Sequence, residues 1–409
     1  MSDFYQTGVV ATLHHLTPDH NRRLEKELVE IGKRQRIGLV LPALYSEFET
    51  PSMRRIVNEL AEVRYLKHIV VALGRAGPEE YEKVQSFFAG FPHPVTILWI
   101  ESTPIQDLLG LLGENGLCAG QDGKGRSCWL AYGYLLAIGE CDVIALHDCD
   151  ILNYSRQMLA RLVYPVAHPH LAFEFCKGYY SRVTNRMHGR VTRLFMTPLI
   201  RALESMAPGT PFLRFLDSFR YCLAGEFAMK ADLAWMNRIP CDWGLEVGVL
   251  AEVFRNCSAG RICQVDVADS YEHKHQDLST ENPDKGLRRM ACDIGKSLMR
   301  TLAGEGVVFT SDHFRSLEVR YVRMAEDMIR RYHADAKING LEFDRHAEEL
   351  AVTTFARSLR QAAAEFTETP LGLPLLPNWS RVVSAIPDFL DLLTRSVEAD
   401  APLVRSYGA

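Results

Sequence analysis

Asp148 and Asp150 flank a single cysteine directly after the apolar run "VIALH" (143–147). In extended chain, residues two apart point to the same side, so both carboxylates leave the end of one strand together. Carboxylates at the edge of a core are costly unless something compensates their charge. They can cap the next turn or helix, or they can hold a divalent cation, which prefers oxygen ligands and keeps positions open for phosphate oxygens. The second arrangement suits a nucleoside diphosphate sugar.

Four further clusters carry chemistry. "DGKGRS" (122–127) brackets Lys124 with glycines just before a helical segment. It lacks the GxxxxGK[ST] spacing, which disfavours a P-loop. It is either a solvated turn or a lysine beside a helix N-terminus, where an anion is stabilised; its place just before the Asp-x-Asp strand favours the site. "SYEHKHQD" (270–277) alternates His273 and His275 with charged residues. These are surface histidines, or one is a neutral imidazole ligand for a cation such as Mn2+. "NRMHGRVTRLF" (185–195) gathers Arg186, His188, Arg190 and Arg193 around a glycine, either as a solvated basic helix start or as a bidentate grip on phosphate or carboxylate. "CLAGEFAMKADL" (222–233) sets Glu226 in an apolar stretch, where a half-buried carboxylate needs a partner: an acceptor hydroxyl or an arginine.

The elements that must position these groups read as α/β. "RIGLVLPAL", "HIVVAL", "VTILWI" and "VIALH" are continuous core strands, separated by amphipathic stretches such as "PSMRRIVNELAEV" and "SCWLAYGYLLAIGE". That alternation predicts a mostly parallel sheet covered on both faces, with ligands beyond the carboxyl ends of its strands. The loops "PALYSEFE", "LGRAG" (with Gly74) and "HDCD" then share one rim. "HLAFEFCKGYYSRV" and "CQVDVADSYEH" add two strands, and from about residue 278 helical patterns dominate, with the Pro-rich break "TPLGLPLLPNW" before a last helix. The expected organisation is an N-terminal helical segment over 1–35, two halves of one sheet domain over 36–150 and 151–280, and a helical C-terminal region over 281–409.

Composition narrows the class. The 409 residues are 47% hydrophobic and 24% charged, ordinary for a globular chain with a sizeable core. A net charge of −5 gives no reason to expect nucleic acid or an anionic membrane as partner. Ten cysteines without a CxxC pair suggest reduced thiols, and no leader or long apolar run is seen, so a cytoplasmic location is expected.

Together the motifs resemble the glucosyl-3-phosphoglycerate synthase family, retaining GT-A glycosyltransferases related to the mannosylglycerate synthases. The resemblance runs from "LVLPAL" to "EHKHQDL". The family's Pro-Ala-Leu donor loop is similar to Pro42, Ala43 and Leu44, with Glu47 nearby, and its Gly-Lys-Gly element to Gly123, Lys124 and Gly125. Its Asp-x-Asp resembles Asp148, Cys149 and Asp150, and its acceptor Gly-Arg-Val-Thr resembles Gly189, Arg190, Val191 and Thr192. "GLEVGVL" (244–250) resembles the helix that precedes a Gln-Val-Asp strand and a metal-binding histidine, which falls on His273, with His275 as the second candidate. "VVALGRAG" departs from the Asp/Ser-rich loop that reads the nucleotide in the family.

The resemblance implies transfer of glucose from UDP-glucose to the 2-hydroxyl of 3-phosphoglycerate, with Mg2+ or Mn2+ held by Asp150, Asp148 and a histidine. It places Lys124 near the donor, Glu226 on the sugar or the acceptor hydroxyl, and Arg190 and Thr192 on the acceptor's phosphate or carboxylate. It also implies a homodimer. Free glycerate as acceptor or GDP-mannose as donor is the alternative within the class; a sugar nucleotidyltransferase or a non-catalytic nucleotide-sugar binder is the alternative outside it. A nucleotidyltransferase generally needs an early Gly-rich basic loop, which "LPALYSEFETPS" lacks.

Overall fold

The structure, a computed structural model, describes residues 6, 8–17, 21–272, 278 and 286–400. Eight strands form one sheet: β1 (Ala11–Leu13), β2 (Ile37–Leu44), β3 (Leu66–Gly74), β4 (Val95–Trp99), β5 (Val143–Leu146), β6 (Phe175–Tyr180), β7 (Phe227–Lys230) and β8 (Ile262–Ala268). Their order across the sheet is β1-β8-β6-β7-β5-β2-β3-β4. Every neighbouring pair is parallel except the two that β7 makes, with β5 and β6.

The strands read as continuous apolar runs because both faces are covered. Alternate residues enter two cores: Val40, Val70, Ile144 and Leu146 face one, while Leu39, Leu41, Ile69, Val71, Val143 and Ala145 face the other. At the entry side Arg36 ties β2 to β5, its Nε donating to Asp142 Oδ2 at 3.0 Å and its Nη2 to Oδ1 at 3.1 Å.

Register brings the expected loops together. Val40 lies opposite Leu146, so the chain leaving β5 at His147 runs on beside the end of β2. Leu44 lies opposite Gly74. The sheet order changes direction around β5, the kind of place where α/β sheets open a crevice at their carboxyl ends.

One expectation needs correcting, and one strand was not anticipated. The segment over 1–35 contains not only the helix Asn21–Ile31 but also β1, which extends the sheet beside β8; three residues are too few to show a strand period. The segment around Glu226 forms β7, only four residues long.

The C-terminal region is helical as expected: Gly286–Gly304, Ser311–Ile338 and Arg345–Glu368. The anticipated last helix is two, Trp379–Ala385 and Phe389–Asp400, because Pro387 cannot continue the first. These helices bury their apolar faces within the chain. Tyr321 and Phe355 close on Phe195, and Trp379 stacks on Trp129 with ring centroids 4.1 Å apart. None of the helices among the described residues is long and apolar enough to cross a membrane.

Candidate active site

A cavity of about 790 Å³ opens at the carboxyl ends of the strands. It is lined by Pro42, Ala43, Leu44, Glu47, Gly74 and Arg75 from the β2 and β3 rims, by Asp148, Cys149 and Asp150 beyond β5, and by Gly189, Arg190, Val191 and Thr192. Lys124 lines it too. The motifs at distant sequence positions therefore face one space.

The aspartate pair is shaped from behind. His147 is fully buried and packs edge-on against Tyr154, ring centroids 5.5 Å apart. Burial lowers its pKa to about 4, so the imidazole is neutral. Asp148 meets the lysine: Lys124 Nζ is 2.6 Å from Asp148 Oδ1 and 3.1 Å from Glu246 Oε1. Burial works against the ammonium, but Asp148 and Glu246 outweigh it and hold its pKa well above the ordinary lysine value. Gly123 and Gly125 let this loop lie against the Pro240–Cys241 backbone, which a Cβ on either would strike. A Cβ on Gly225 would collide with the Asp148 carboxylate, so a side chain there would have to displace it.

Glu226 does not meet the cavity. It is buried, and its oxygens accept hydrogen bonds from Tyr180 at 2.8 Å and Tyr271 at 2.5 Å. Glu226, expected on the sugar or the acceptor hydroxyl, reaches the cavity here through Tyr180, which does line it. Burial, with Asp148 nearby, raises the Glu226 pKa against the opposing pull of the two tyrosine hydroxyls. Behind it Lys177 is wholly buried, donates to the Ala224 carbonyl at 2.6 Å, and has its pKa lowered to about 8 by burial.

The basic cluster is not a solvated helix start. Arg193 is 11% exposed, donates from Nε to the His188 carbonyl at 2.8 Å and pairs with Glu348; Arg190 pairs with the same carboxylate. Arg190 alone of the two lines the cavity. Val191–Met196 form a π-helical turn that leads into the helix Thr197–Met206, a local irregularity common at functional sites. At the β3 rim Arg75 adopts a left-handed backbone (φ 54°), and its amide donates to Glu101 Oε1 at 2.7 Å. Trp99 Nε1 holds the Ala76 carbonyl at 2.7 Å.

The oxygen donors at Asp148 and Asp150 fit a hard divalent cation. Among the described residues no group of three or more His, Cys, Asp or Glu side chains forms a metal-binding cluster. His273 and His275 lie outside the described residues.

Comparison with known proteins decides the family. The chain is 49% identical to a glucosyl-3-phosphoglycerate synthase of Persephonella marina over 98% of its own length and 99% of that protein's. The chain belongs to the glucosyl-3-phosphoglycerate synthase family. It is a glycosyltransferase. A second synthase of this family, from Methanococcoides burtonii, is 40% identical over 97% of this chain and 98% of that one. The fold is shared with the glucosyl-3-phosphoglycerate synthase of Mycobacterium tuberculosis, crystallised with Mn2+, UDP-glucose and phosphoglyceric acid (TM-score 0.53, 21% identity, 74% of this chain and 89% of that one). It is shared too with the mannosyl-3-phosphoglycerate synthase of Rubrobacter xylanophilus (TM-score 0.53, 21% identity, 75% and 83%). No family model matches the chain.

Sequence inspection missed several residues around this synthase-family cavity. Glu246, in "GLEVGVL", is 6% exposed and shares Lys124; it carries the same signal as Glu226, a carboxylate in an apolar run. Tyr180, Tyr271 and Glu348 have no local signal, because their roles come from partners far away in sequence.

Proposed function

We propose that this enzyme transfers glucose from UDP-glucose to the 2-hydroxyl of 3-phosphoglycerate, with retention at the anomeric carbon. The observation that carries the reading is that Asp148–Asp150 and Gly189–Thr192 line one and the same cavity. The family name of the full-length relatives and the ligands of the mycobacterial structure support the donor and the acceptor.

Pro42, Ala43, Leu44, Glu47 and Gly74 form the bed of the nucleotide and sugar. Asp150, with Asp148, would hold Mg2+ or Mn2+, with His273 as the first candidate for a further ligand and His275 as the second. The bound cation offsets charge on the departing diphosphate. Lys124 pairs with Asp148 and adds positive charge beside it. Arg190 and Thr192 receive the acceptor's phosphate or carboxylate, where a guanidinium makes bidentate charge-assisted bonds. Glu226 fixes Tyr180 against the reacting sugar or acceptor.

Both Glu226 oxygens are engaged by tyrosines, which argues against a covalent glycosyl intermediate on that carboxylate. Retention then follows from attack on the face the diphosphate leaves: the carbon–diphosphate bond breaks, the acceptor oxygen bonds the same carbon, and the acceptor proton departs on the diphosphate. Assembly as a homodimer belongs to the same reading; light scattering that gives a monomer at micromolar concentration overturns it.

The test is release of nucleoside diphosphate over a grid of UDP-glucose and GDP-mannose against 3-phosphoglycerate and glycerate, with Mg2+ or Mn2+ and with EDTA. The expected result is metal-dependent UDP release with 3-phosphoglycerate and an α-linked product by NMR. A preference for free glycerate, full activity in EDTA, or pyrophosphate as product each overturns the corresponding part.

A further inference from the structure

The C-terminal helices carry no motif of their own, yet they reach the acceptor wall of the cavity. Glu348 sits on the first turn of the helix Arg345–Glu368, and its side chain is 6% exposed. Its two oxygens are divided between two arginines of one loop: Oε1 accepts from Arg190 Nε at 2.9 Å and Oε2 from Arg193 Nη1 at 2.9 Å. Arg193 is held a third way, with its guanidinium carbon 4.8 Å from the centre of the Tyr332 ring.

The same loop is gripped at two more points. Glu342 donates its amide to the Asn185 carbonyl at 2.8 Å, and Tyr321 donates its hydroxyl to the Leu194 carbonyl at 2.8 Å. Residues from two C-terminal helices and the turn between them thus hold both flanks of the Gly189–Thr192 wall.

A buried carboxylate beside an anion site is unfavourable on Coulombic grounds, since it opposes the anion it adjoins. Here it lies between two guanidiniums three residues apart that would otherwise repel each other. It leaves the set one positive charge in excess, and by binding Arg190 through Nε it fixes the plane of the guanidinium. Arg193 is the anchor behind the wall, Arg190 the group on it, and Glu348 the link.

We propose that Glu348 is a positioning residue of the acceptor site: through Arg190 it makes acceptor affinity, and the choice between phosphorylated and unphosphorylated acceptors, a property of the C-terminal helical layer. This rests on the reading that Arg190 receives the acceptor's anionic group.

The experiment is steady-state kinetics on the full chain, varying 3-phosphoglycerate, glycerate and UDP-glucose separately, for wild type, Arg190→Ala, Glu348→Gln, Glu348→Asp and the double variant Arg190→Ala with Glu348→Gln. Glu348→Asp keeps the charge that folding needs while withdrawing the oxygens from both arginines. Glu318→Gln, which loses a 2.9 Å ion pair to Arg360 between the same two helices, is the control for general loosening.

Both Glu348 variants are expected to raise the KM for 3-phosphoglycerate about tenfold and to narrow its advantage over glycerate, with the UDP-glucose KM unchanged. Glu348→Gln adds nothing once Arg190 is alanine, and Glu318→Gln behaves as wild type. If Arg190→Ala raises the acceptor KM but both Glu348 variants match wild type, or if they shift donor and acceptor KM alike, the inference is overturned. If Arg190→Ala itself leaves the acceptor KM unchanged, the assignment of Arg190 fails instead.

Discussion

Lys124 and Asp148 form an ion pair of 2.6 Å at the cavity, so the first aspartate of the Asp-x-Asp motif is matched by a lysine of the protein itself. Lys124 also holds Glu246, which is nearly buried. Lys124→Met leaves Asp148 and Glu246 without the ammonium they share. We expect a stability loss of about 2–3 kcal/mol, since removing one partner from a largely buried pair strands the other charge. A fall in kcat of two orders of magnitude or so should accompany it. Thermal unfolding and kcat measured on one preparation check this; a variant with wild-type kcat removes Lys124 from the catalytic set.

Gly225 backs the Asp148 carboxylate so closely that a methyl group there must displace it. Gly225→Ala should therefore lower kcat by about a hundredfold, as misplacing a catalytic group by an ångström can do, with far-UV circular dichroism unchanged. Wild-type turnover would mean that the position of Asp148 is not critical.

Trp379 is fully buried, stacked on Trp129 at an interplanar angle of 14°, and Trp129 Nε1 donates to the Pro377 carbonyl at 2.8 Å. Trp129 lies on the helix Lys124–Ile138, so this strap docks behind the helix that begins at Lys124. Trp379→Ala should cost about 3–5 kcal/mol, the usual range for emptying a large aromatic from a core. Calorimetry should show a Tm lower by several degrees, while the KM values measured well below it stay at wild type.

Asp142 provides a pH signature. Its hydrogen bonds from Arg36 hold its pKa below the ordinary 3.8 despite partial burial. A depressed carboxylate contributes stability that is present above its unfolded pKa and lost as pH falls through the lower, folded value. The pair is about a third exposed, so its contribution is discounted to about 1 kcal/mol. Asp142→Asn should be less stable than wild type in urea at neutral pH, with the gap closing only as pH drops below the ordinary carboxylate value. A gap independent of pH would assign the effect to packing.

Much of this protein is legible along the chain because its information is local. The apolar runs of β2, β3, β4 and β5 and the amphipathic stretches between them state a parallel α/β sheet through their periods alone. Parallel strands put the ends of β2, β3 and β5 on one rim by necessity, so Pro42–Leu44, Gly74 and Asp148–Asp150 could be placed there from sequence. What periodicity cannot encode is which distant side chain completes a charge. Glu246 lies 122 residues from Lys124, and Glu348 lies 158 from Arg190. Glu226 was visible as a carboxylate needing a partner, but only packing decided that two tyrosines supply it and turn it away from the cavity. The helical tail carries no motif that names what it packs on; its docking decided that it braces the loop of Arg190 and Leu194. Backbone pattern follows from neighbours in sequence, whereas the satisfaction of buried charge depends on neighbours in space, and those exist only once the chain has folded.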